Sequence, residues 1–126
     1  WKLRQDPRVV SREQFNARHL TVDDLGELVD LAVMDLSFIS LTTVLPAVFG
    51  VLREGGAVIC LIKPQFELPR DEVGEGGIVR DDALRAKAVE KIRSFVADAG
   101  TWQWMGCVES PITGTDGNVE FLAWIR

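Results

Sequence analysis

Two short apolar segments, each followed by a helical pattern, constrain the fold of this chain more than any other feature. They run from Leu28 to Leu36 and from Ala57 to Lys63. Neither alternates strictly between apolar and polar residues, which indicates strands buried on both faces, as in parallel sheets. Residues 40–53 and 81–100 carry apolar side chains at helical spacing. This order predicts an α/β sheet that is mostly parallel.

Capping residues predict where the two helices begin and end. Ser40 can cap the first helix, which Gly55 and Gly56 would end just beyond residue 53. Pro46 lies inside this helix and predicts a kink or a later start. The second helix opens on acidic residues from Asp81, as the helix dipole favours, and stops at Gly100.

The rest of the chain predicts weaker strands and several loops. Strand patterns occur at Val9–Phe15, Thr101–Glu109 and Val119–Ile125. Turn-forming residues fill 110–118, so the last two strands should form an antiparallel hairpin. Residues 16–26 are polar and acidic and predict a loop with a turn of helix. Residues 64–80 form a long connection typical of a lid or binding loop. Residues 1–4 resemble the end of a helix.

Length and composition indicate one ordinary globular domain and exclude several classes. The chain has 126 residues with a net charge of -5, which argues against non-specific nucleic-acid binding by the chain as a whole. Cys60 and Cys107 are too few for a disulfide framework or a four-thiolate zinc site, so we expect buried thiols, a reducing compartment and no metal. No apolar run approaches the ~20 residues of a membrane span, and no leader is visible. We therefore expect a cytoplasmic protein without membrane contact.

Ionisable residues end both central strands. Asp35 follows the first strand and Lys63 ends the second. Glu120 returns to the same region with the hairpin. Ligands of open α/β sheets bind beyond the carboxyl ends of the parallel strands, so an amine and two carboxylates could converge on one crevice. Taken singly, Asp35 could instead cap the following turn, and Lys63 could be a solvated flank.

Other chemistry-bearing residues are weaker candidates. His19 is the only histidine, which excludes a histidine-based triad or a multi-histidine metal site and indicates a surface or capping role. Ser37 and Ser40 lack a local base motif. The glycines within residues 74–77 follow no strand directly and fit neither a P-loop nor a dinucleotide fingerprint, so they predict a flexible loop.

Four segments together resemble the bacterial hemolysin A family. They are DLSFISL at 35–41, LIKPQFE at 61–67, GGIVRD at 76–81 and SPITGTDGNVEFLAW at 110–124. Family members are FtsJ-like, S-adenosylmethionine-dependent methyltransferases that modify the ribose 2′-hydroxyl of ribosomal RNA. The resemblance covers nearly the whole chain. It implies the Rossmann-like class I methyltransferase sheet, truncated at its N-terminus and ending in an antiparallel hairpin.

The resemblance also implies roles for particular residues. The family uses a Lys-Asp-Lys-Glu catalytic set, and Asp35, Lys63 and Glu120 match its last three members. Lys63 would take the proton from the ribose hydroxyl, which requires the neutral amine. Asp35 would also contact S-adenosylmethionine, and Asn16, placed after the family's third strand, would contact its adenine.

Several family features do not occur in these 126 residues. They are the S4-type RNA-binding domain, the first two strands with their glycine-rich cofactor loop, and the first catalytic lysine. The resemblance thus implies that residues 1–126 form the C-terminal part of a methyltransferase domain, inactive in isolation. Ribosomal RNA or a ribosomal subunit would be bound through the S4 domain. The bare sheet edge along Leu28–Leu36 would be covered by the N-terminal segment or by a second copy, giving a homodimer.

Two other functions stay open at this point. A catalytically inactive, methyltransferase-like interaction module fits the acidic net charge. A membrane-active hemolysin finds less support, because the helix at 81–100 has mixed charge in place of a basic face.

Overall fold

The chain folds as strands alternating with helices, in the predicted order. The computed structural model describes residues 5–114 and 116–126, so the predicted helix end at residues 1–4 lies outside it. The α-helices are α1 (Val22–Leu25), α2 (Leu41–Val51), α3 (Pro64–Glu67) and α4 (Asp82–Ala99). The strands are β1 (Val29–Met34), β2 (Leu52–Ile62), β3 (Trp104–Glu109) and β4 (Phe121–Ile125). Short 3₁₀ turns occur at Ala17–His19, Arg70–Glu72 and Glu75–Gly77.

The four strands form one mixed sheet in the order β1-β2-β4-β3. β1 and β2 are parallel, whereas β4 is antiparallel to both β2 and β3. β4 is therefore the only reversed strand of this sheet, which confirms the predicted direction of the strands and the C-terminal hairpin. The reversal has a consequence for the site: β4 begins at the edge of the sheet where β1 and β2 end.

The core lies between one face of the sheet and helices α2 and α4. Alternate residues of each strand point to this face, because side chains in a strand have a period of two. The buried residues that pack here include Val58, Cys60 and Ile62 from β2, Ala123 and Ile125 from β4, Leu45 from α2, and Ile92 and Val96 from α4.

The opposite face of the sheet, here called the open face, is apolar and largely exposed. It carries Leu31 and Val33 of β1, which are 56% and 72% exposed, together with Trp124 of β4 and Val108 of β3. The register places Val33 beside Ile59, and Ile59 beside Trp124. The prediction that β1 is buried on both faces is therefore wrong for the described part of the chain, where only the helical layer covers the sheet.

The predicted strand at Val9–Phe15 does not form. Val10 is 83% exposed, and Gln14 has φ 55, a left-handed conformation that interrupts an extended chain. A strand needs a partner, and β1 pairs only with β2 among the described residues. The segment instead leads into the 3₁₀ turn Ala17–His19, which packs against α2. No strand within residues 5–28 pairs with β1, and the expectation that the N-terminal segment or a second copy covers its edge stays a prediction.

The boundary between α2 and β2 also differs from the prediction. The helix begins at Leu41, capped by Ser40, and runs through Pro46 to Val51, so the proline does not delay its start. β2 follows directly, and Gly55 and Gly56 lie inside the strand. A Cβ on Gly56 would lie 2.8 Å from a carbonyl oxygen of Arg53, and Gly55 has φ 83. These glycines therefore permit an irregularity at the start of β2 and do not stop the helix.

The predicted ends of α4 are confirmed. The side chain of Asp81 accepts a hydrogen bond from Ala83 N (2.8 Å). Gly100 closes the helix with φ 74, in the left-handed conformation that glycine adopts without strain.

The two thiols differ in burial. Cys60 is fully buried, as predicted, whereas Cys107 is only partly buried, and both are free. Burial raises the pKa of the Cys60 thiol to about 12, from an ordinary value of 9.0. The Cys60 thiol therefore stays protonated in the native state above pH 9, whereas in the unfolded chain it loses its proton. The free energy of unfolding should accordingly fall as the pH rises above 9.

Between pH 8 and pH 10 this thiol should lower the free energy of unfolding by about 1.4 kcal/mol. Urea unfolding of the wild type and of Cys60→Ala at both pH values measures the effect. The variant should lose less stability than the wild type by that amount. Equal losses in the two proteins would contradict the prediction.

Candidate functional site

Lys63 and Asp35 meet at the carboxyl edge of the parallel strands. Lys63 directly follows β2, and its side chain is 12% exposed. Its Nζ lies 2.5 Å from Oδ1 of Asp35, which follows β1 and is 69% exposed. The same amine donates a hydrogen bond to Ser37 Oγ (3.3 Å). Asp35 does not cap a helix here, since Ser40 caps α2, and Lys63 is not a solvated flank.

Glu120 reaches the same edge from the reversed strand. It immediately precedes β4 and is buried, with 7% of its surface exposed. Its Oε2 accepts a hydrogen bond from Gln65 Nε2 (3.2 Å). Neither Gln65 nor the contact between Ser37 and Lys63 could be predicted from the sequence, since neither has a local signature.

These three residues line one open cleft of about 790 Å³. Its walls also include Ser37, Phe38, Gln65, Phe66, Gly77, Thr113 and Gly114. The rings of Phe38 and Phe66 lie 4.9 Å apart. The cleft therefore combines an amine and two carboxylates with apolar and aromatic walls, as binding sites for organic ligands usually do.

Asn118 holds two loops of the cleft together. Its Oδ1 accepts a hydrogen bond from Val79 N (2.9 Å), and its Nδ2 donates to Gly77 O (2.9 Å) and to Asp116 Oδ2 (2.9 Å). The side chain is almost fully buried. Sequence analysis treated residue 118 only as part of a turn, because its partners lie far away along the chain.

Asn16 lies outside this cleft. Its side chain is exposed and accepts a hydrogen bond from Arg18 N (3.2 Å), capping the 3₁₀ turn Ala17–His19. The strand after which the family resemblance placed Asn16 does not form among the described residues, so that part of the argument is wrong. Contact between Asn16 and a cofactor stays a prediction. His19 is exposed, as expected.

A second, smaller cavity adjoins Asp35. It has a volume of about 330 Å³ and lies between β1, α2 and the segment around α1. Its apolar lining includes Leu20, Leu25, Val29, Ala32 and Met34. Asp35 lines both this cavity and the cleft. The carboxylate of Asp35 thus lies between the apolar cavity and the amine of Lys63.

Gly114 leaves the room that the Glu120 carboxylate occupies. A Cβ at position 114 would lie 2.8 Å from Glu120 Oε2, too close for a carbon atom. Gly114→Ala should therefore displace the carboxylate, which sits at the end of a flexible side chain, without unfolding the protein. If Glu120 serves the reaction, activity should fall about 10- to 100-fold, the scale expected for an ångström-sized displacement.

Activity assays and thermal unfolding of the full-length Gly114→Ala protein would test this effect. Gly50→Ala in α2 is the matched control, because a Cβ there meets nothing within 4 Å. Full activity in Gly114→Ala would show that the position of Glu120 does not matter.

The fold and the site together define a class of protein. Three strands of one direction and a reversed strand, with an amine and carboxylates at their common edge, are the features of a Rossmann-like methyltransferase sheet. The family comparison agrees: the model of the FtsJ-like methyltransferases matches residues 1–126. The chain belongs to the FtsJ-like methyltransferase family.

Individual relatives match along the entire chain. The 16S/23S rRNA (cytidine-2′-O)-methyltransferase TlyA of Mycobacterium tuberculosis is 48% identical over 126 residues, covering 100% of this chain and 47% of that protein. Hemolysin A of Brachyspira hyodysenteriae is 43% identical over 124 residues, covering 98% of this chain and 51% of that protein. The chain thus spans about half the length of these relatives.

A solved structure shows the same fold. It is a provisionally named hemolysin from Lactococcus lactis, with a TM-score of 0.94 and 41% sequence identity. The match covers 99% of this chain and 60% of that one.

Proposed function

We propose that this chain is the part of an rRNA methyltransferase that carries the proton-accepting lysine, and that the whole protein methylates a ribose 2′-hydroxyl. The observation that carries the proposal is the contact between Lys63 Nζ and Asp35 Oδ1 (2.5 Å), in the cleft that Glu120 also lines. Membership of the FtsJ-like family supports methyl transfer, and the similarity to a cytidine-2′-O-methyltransferase supports the ribose hydroxyl as acceptor.

The residues around Asp35 fit S-adenosylmethionine, which FtsJ-like enzymes use. The cofactor has an aromatic ring and two cationic groups, and the cavity beside Asp35 offers an apolar lining with a carboxylate at one end. We propose that Asp35 and Asn16 help to hold it. When bound, it supplies a methyl group on a positively charged sulfur atom.

The side chains of the cleft then have separate tasks. Ribose hydroxyl is a weak nucleophile, so a base must take its proton as the new oxygen–carbon bond forms and the sulfur–carbon bond breaks. Lys63, in its neutral form, accepts that proton at Nζ. Asp35 and Ser37 orient the amine, and Glu120 accepts a hydrogen bond from Gln65, two residues after Lys63.

A methylation assay tests the proposal. The full-length protein is incubated with isotopically labelled S-adenosylmethionine and purified ribosomal subunits, and the labelled nucleosides are identified by mass spectrometry. Ribose 2′-O-methylation is the expected product. Label on a base would contradict the ribose assignment. The absence of any transfer, with RNA still bound, would favour an inactive interaction module, the alternative that the acidic charge also suits.

We further propose that the protein acts in the cytoplasm and binds ribosomal RNA mainly through an S4-type domain. An acidic chain is a poor RNA ligand by itself, because phosphate contacts supply most of the non-specific affinity. In the part of the chain that the structure describes, no helix has the length and hydrophobicity needed to cross a bilayer. Leakage of dye from liposomes exposed to the protein would favour the hemolysin alternative.

The edge of β1 that no described strand pairs with, together with the open face beside it, suggests a homodimer of this chain. Val33 lies on β1 and on the open face, and an uncovered apolar patch of this kind usually marks an interface. Val33→Lys should weaken self-association at least about tenfold, because it would bury an unpaired amine. Sedimentation equilibrium of this chain measures the effect, with Val10→Lys as the control outside the sheet. A monomeric wild type would contradict the proposal.

A further inference from the structure

The carboxylate of Glu67, which is buried outside the cleft, connects α3 with α2 and α4. The side chain of Glu67, at the end of α3, is only 1% exposed. It accepts hydrogen bonds from Ser40 Oγ (2.5 Å) and Leu41 N (2.9 Å), at the start of α2. It also pairs with Lys91 Nζ (3.1 Å) on α4. The proposed reaction makes no direct use of this group.

One side of the Glu67 contact leads directly to Lys63. Lys63 is the N-cap residue of α3, and Glu67 is the last residue of the same single turn. The turn is closed by a hydrogen bond from Phe66 N to Lys63 O (2.9 Å), and Pro64 inside it is buried. A displacement of Glu67 would therefore move the backbone that carries Lys63.

The other side of the contact leads to Asp35. Ser40 and Leu41, which donate to Glu67, begin α2 and lie a few residues after Asp35 and Ser37. These two partners of Lys63 occupy the short connection between β1 and α2. Glu67 thus links the segment that carries the amine to the segment that carries its partners.

The ion pair between Lys63 and Asp35 fixes the position of the amine only weakly. Asp35 is 69% exposed, and exposed ion pairs contribute little to stability. The bonds of Glu67 are buried and charge-assisted, and they lie at a helix N-terminus, where negative charge is favoured. We propose that Glu67 is a positioning residue that sets Lys63 against Asp35 and Ser37. This inference rests on the proposed function of Lys63.

Two substitutions at Glu67 in the full-length protein test the inference. Glu67→Ala removes all the side-chain bonds and should lower kcat about 100-fold, with KM for RNA nearly unchanged, since an ångström-scale misplacement costs that much. Glu67→Gln keeps the shape and the bonds to α2, because its oxygen can accept from Leu41 N while its amide donates to Ser40 Oγ. Lys91 loses its contact with Oε1 but keeps its hydrogen bond to the backbone oxygen of residue 67 (2.8 Å). This variant should retain kcat within about fivefold.

A chemical readout separates positioning from mere stability. Lys63 is 12% exposed, whereas Lys87 is 58% exposed and serves as an internal reference. Acetic anhydride labelling followed by mass spectrometry gives the acylation rate of each amine. In Glu67→Ala, the rate at Lys63 relative to Lys87 should rise at least about tenfold, as the amine separates from its partners. In Glu67→Gln it should stay near the wild-type value.

Val96→Ala is the matched control, because Val96 is fully buried in α4 and does not line the cleft. It should lower the melting temperature without changing kcat. The inference is overturned if Glu67→Ala loses no more kcat than Val96→Ala, or if Lys63 labelling stays unchanged. If Glu67→Ala does not fold, Ser40→Ala is used in its place. This variant should lower kcat about tenfold. Unchanged kcat and unchanged Lys63 labelling in Ser40→Ala would overturn the inference. A normal rate in Lys63→Met would instead contradict the proposed role of Lys63 itself.

Discussion

Replacement of Lys63 by methionine in the full-length protein is expected to lower the rate of methyl transfer about 1000-fold, the middle of the range for loss of a general base. Methionine has a similar length and fills the same space, but it cannot accept a proton. The amine is largely shielded and lies against Asp35, and among the described residues no other lysine lines the cleft. Single-turnover transfer to ribosomal subunits measures the chemical step directly.

The matched control is Lys87→Met, which removes the same charge from an exposed lysine paired with Glu72. It should change the rate less than about twofold, because exposed pairs contribute little. A reduced affinity for RNA with a normal rate in Lys63→Met would show that the amine binds phosphate and takes no proton. A normal rate and a normal affinity would exclude Lys63 from the reaction.

Replacement of Asn118 by leucine should destabilise the chain by about 2 kcal/mol. Leucine has a similar volume, so little space is lost or gained. The Val79 N–H and the Gly77 carbonyl would lose their side-chain partner, and Val79 is fully buried. A buried polar group without a partner costs about 1–3 kcal/mol, which applies to the Val79 N–H, whereas Gly77 is exposed and water can satisfy its carbonyl. Urea unfolding followed by circular dichroism measures the loss.

Asp116→Ala supplies the comparison for Asn118→Leu. It removes two hydrogen bonds in the same turn, from Asn118 N and Asn118 Nδ2, but Asp116 is exposed and water can replace it. Its cost should stay below about 1 kcal/mol. Equal losses in the two variants would show that Asn118 acts only within its own turn and does not join the two loops.

Sequence analysis succeeded where one local signal decides the structure. Asp81 and Gly100 mark the ends of α4 because a cap and a left-handed glycine act within a few residues. Ser40 marks the start of α2 for the same reason. The position of Lys63 beside Asp35 followed from the rule that the carboxyl ends of parallel strands share one edge.

The failures concern interactions between distant residues. Val9–Phe15 has β propensity, but propensity cannot show whether a partner strand lies beside it. From the sequence alone, Gly55 and Gly56 are equally compatible with the end of a helix and with a strand that passes close to Arg53 O. Only the folded structure distinguishes these two possibilities. Glu67 gave no signal, because its partners Ser40 and Lys91 lie on other helices. Functional contacts between residues that are distant in the sequence can therefore be identified only from the three-dimensional structure.

The open face of the sheet has a practical consequence for work with this chain. Environment-sensitive dyes fluoresce on contact with accessible apolar surface, and here Val33 and Trp124 offer such surface in the native state. A dye-based melting curve should therefore start from a high baseline and show little further increase on heating. Intrinsic fluorescence or calorimetry will give the truer transition, and a fall in the initial dye signal will report directly when a ligand or another polypeptide occupies that face.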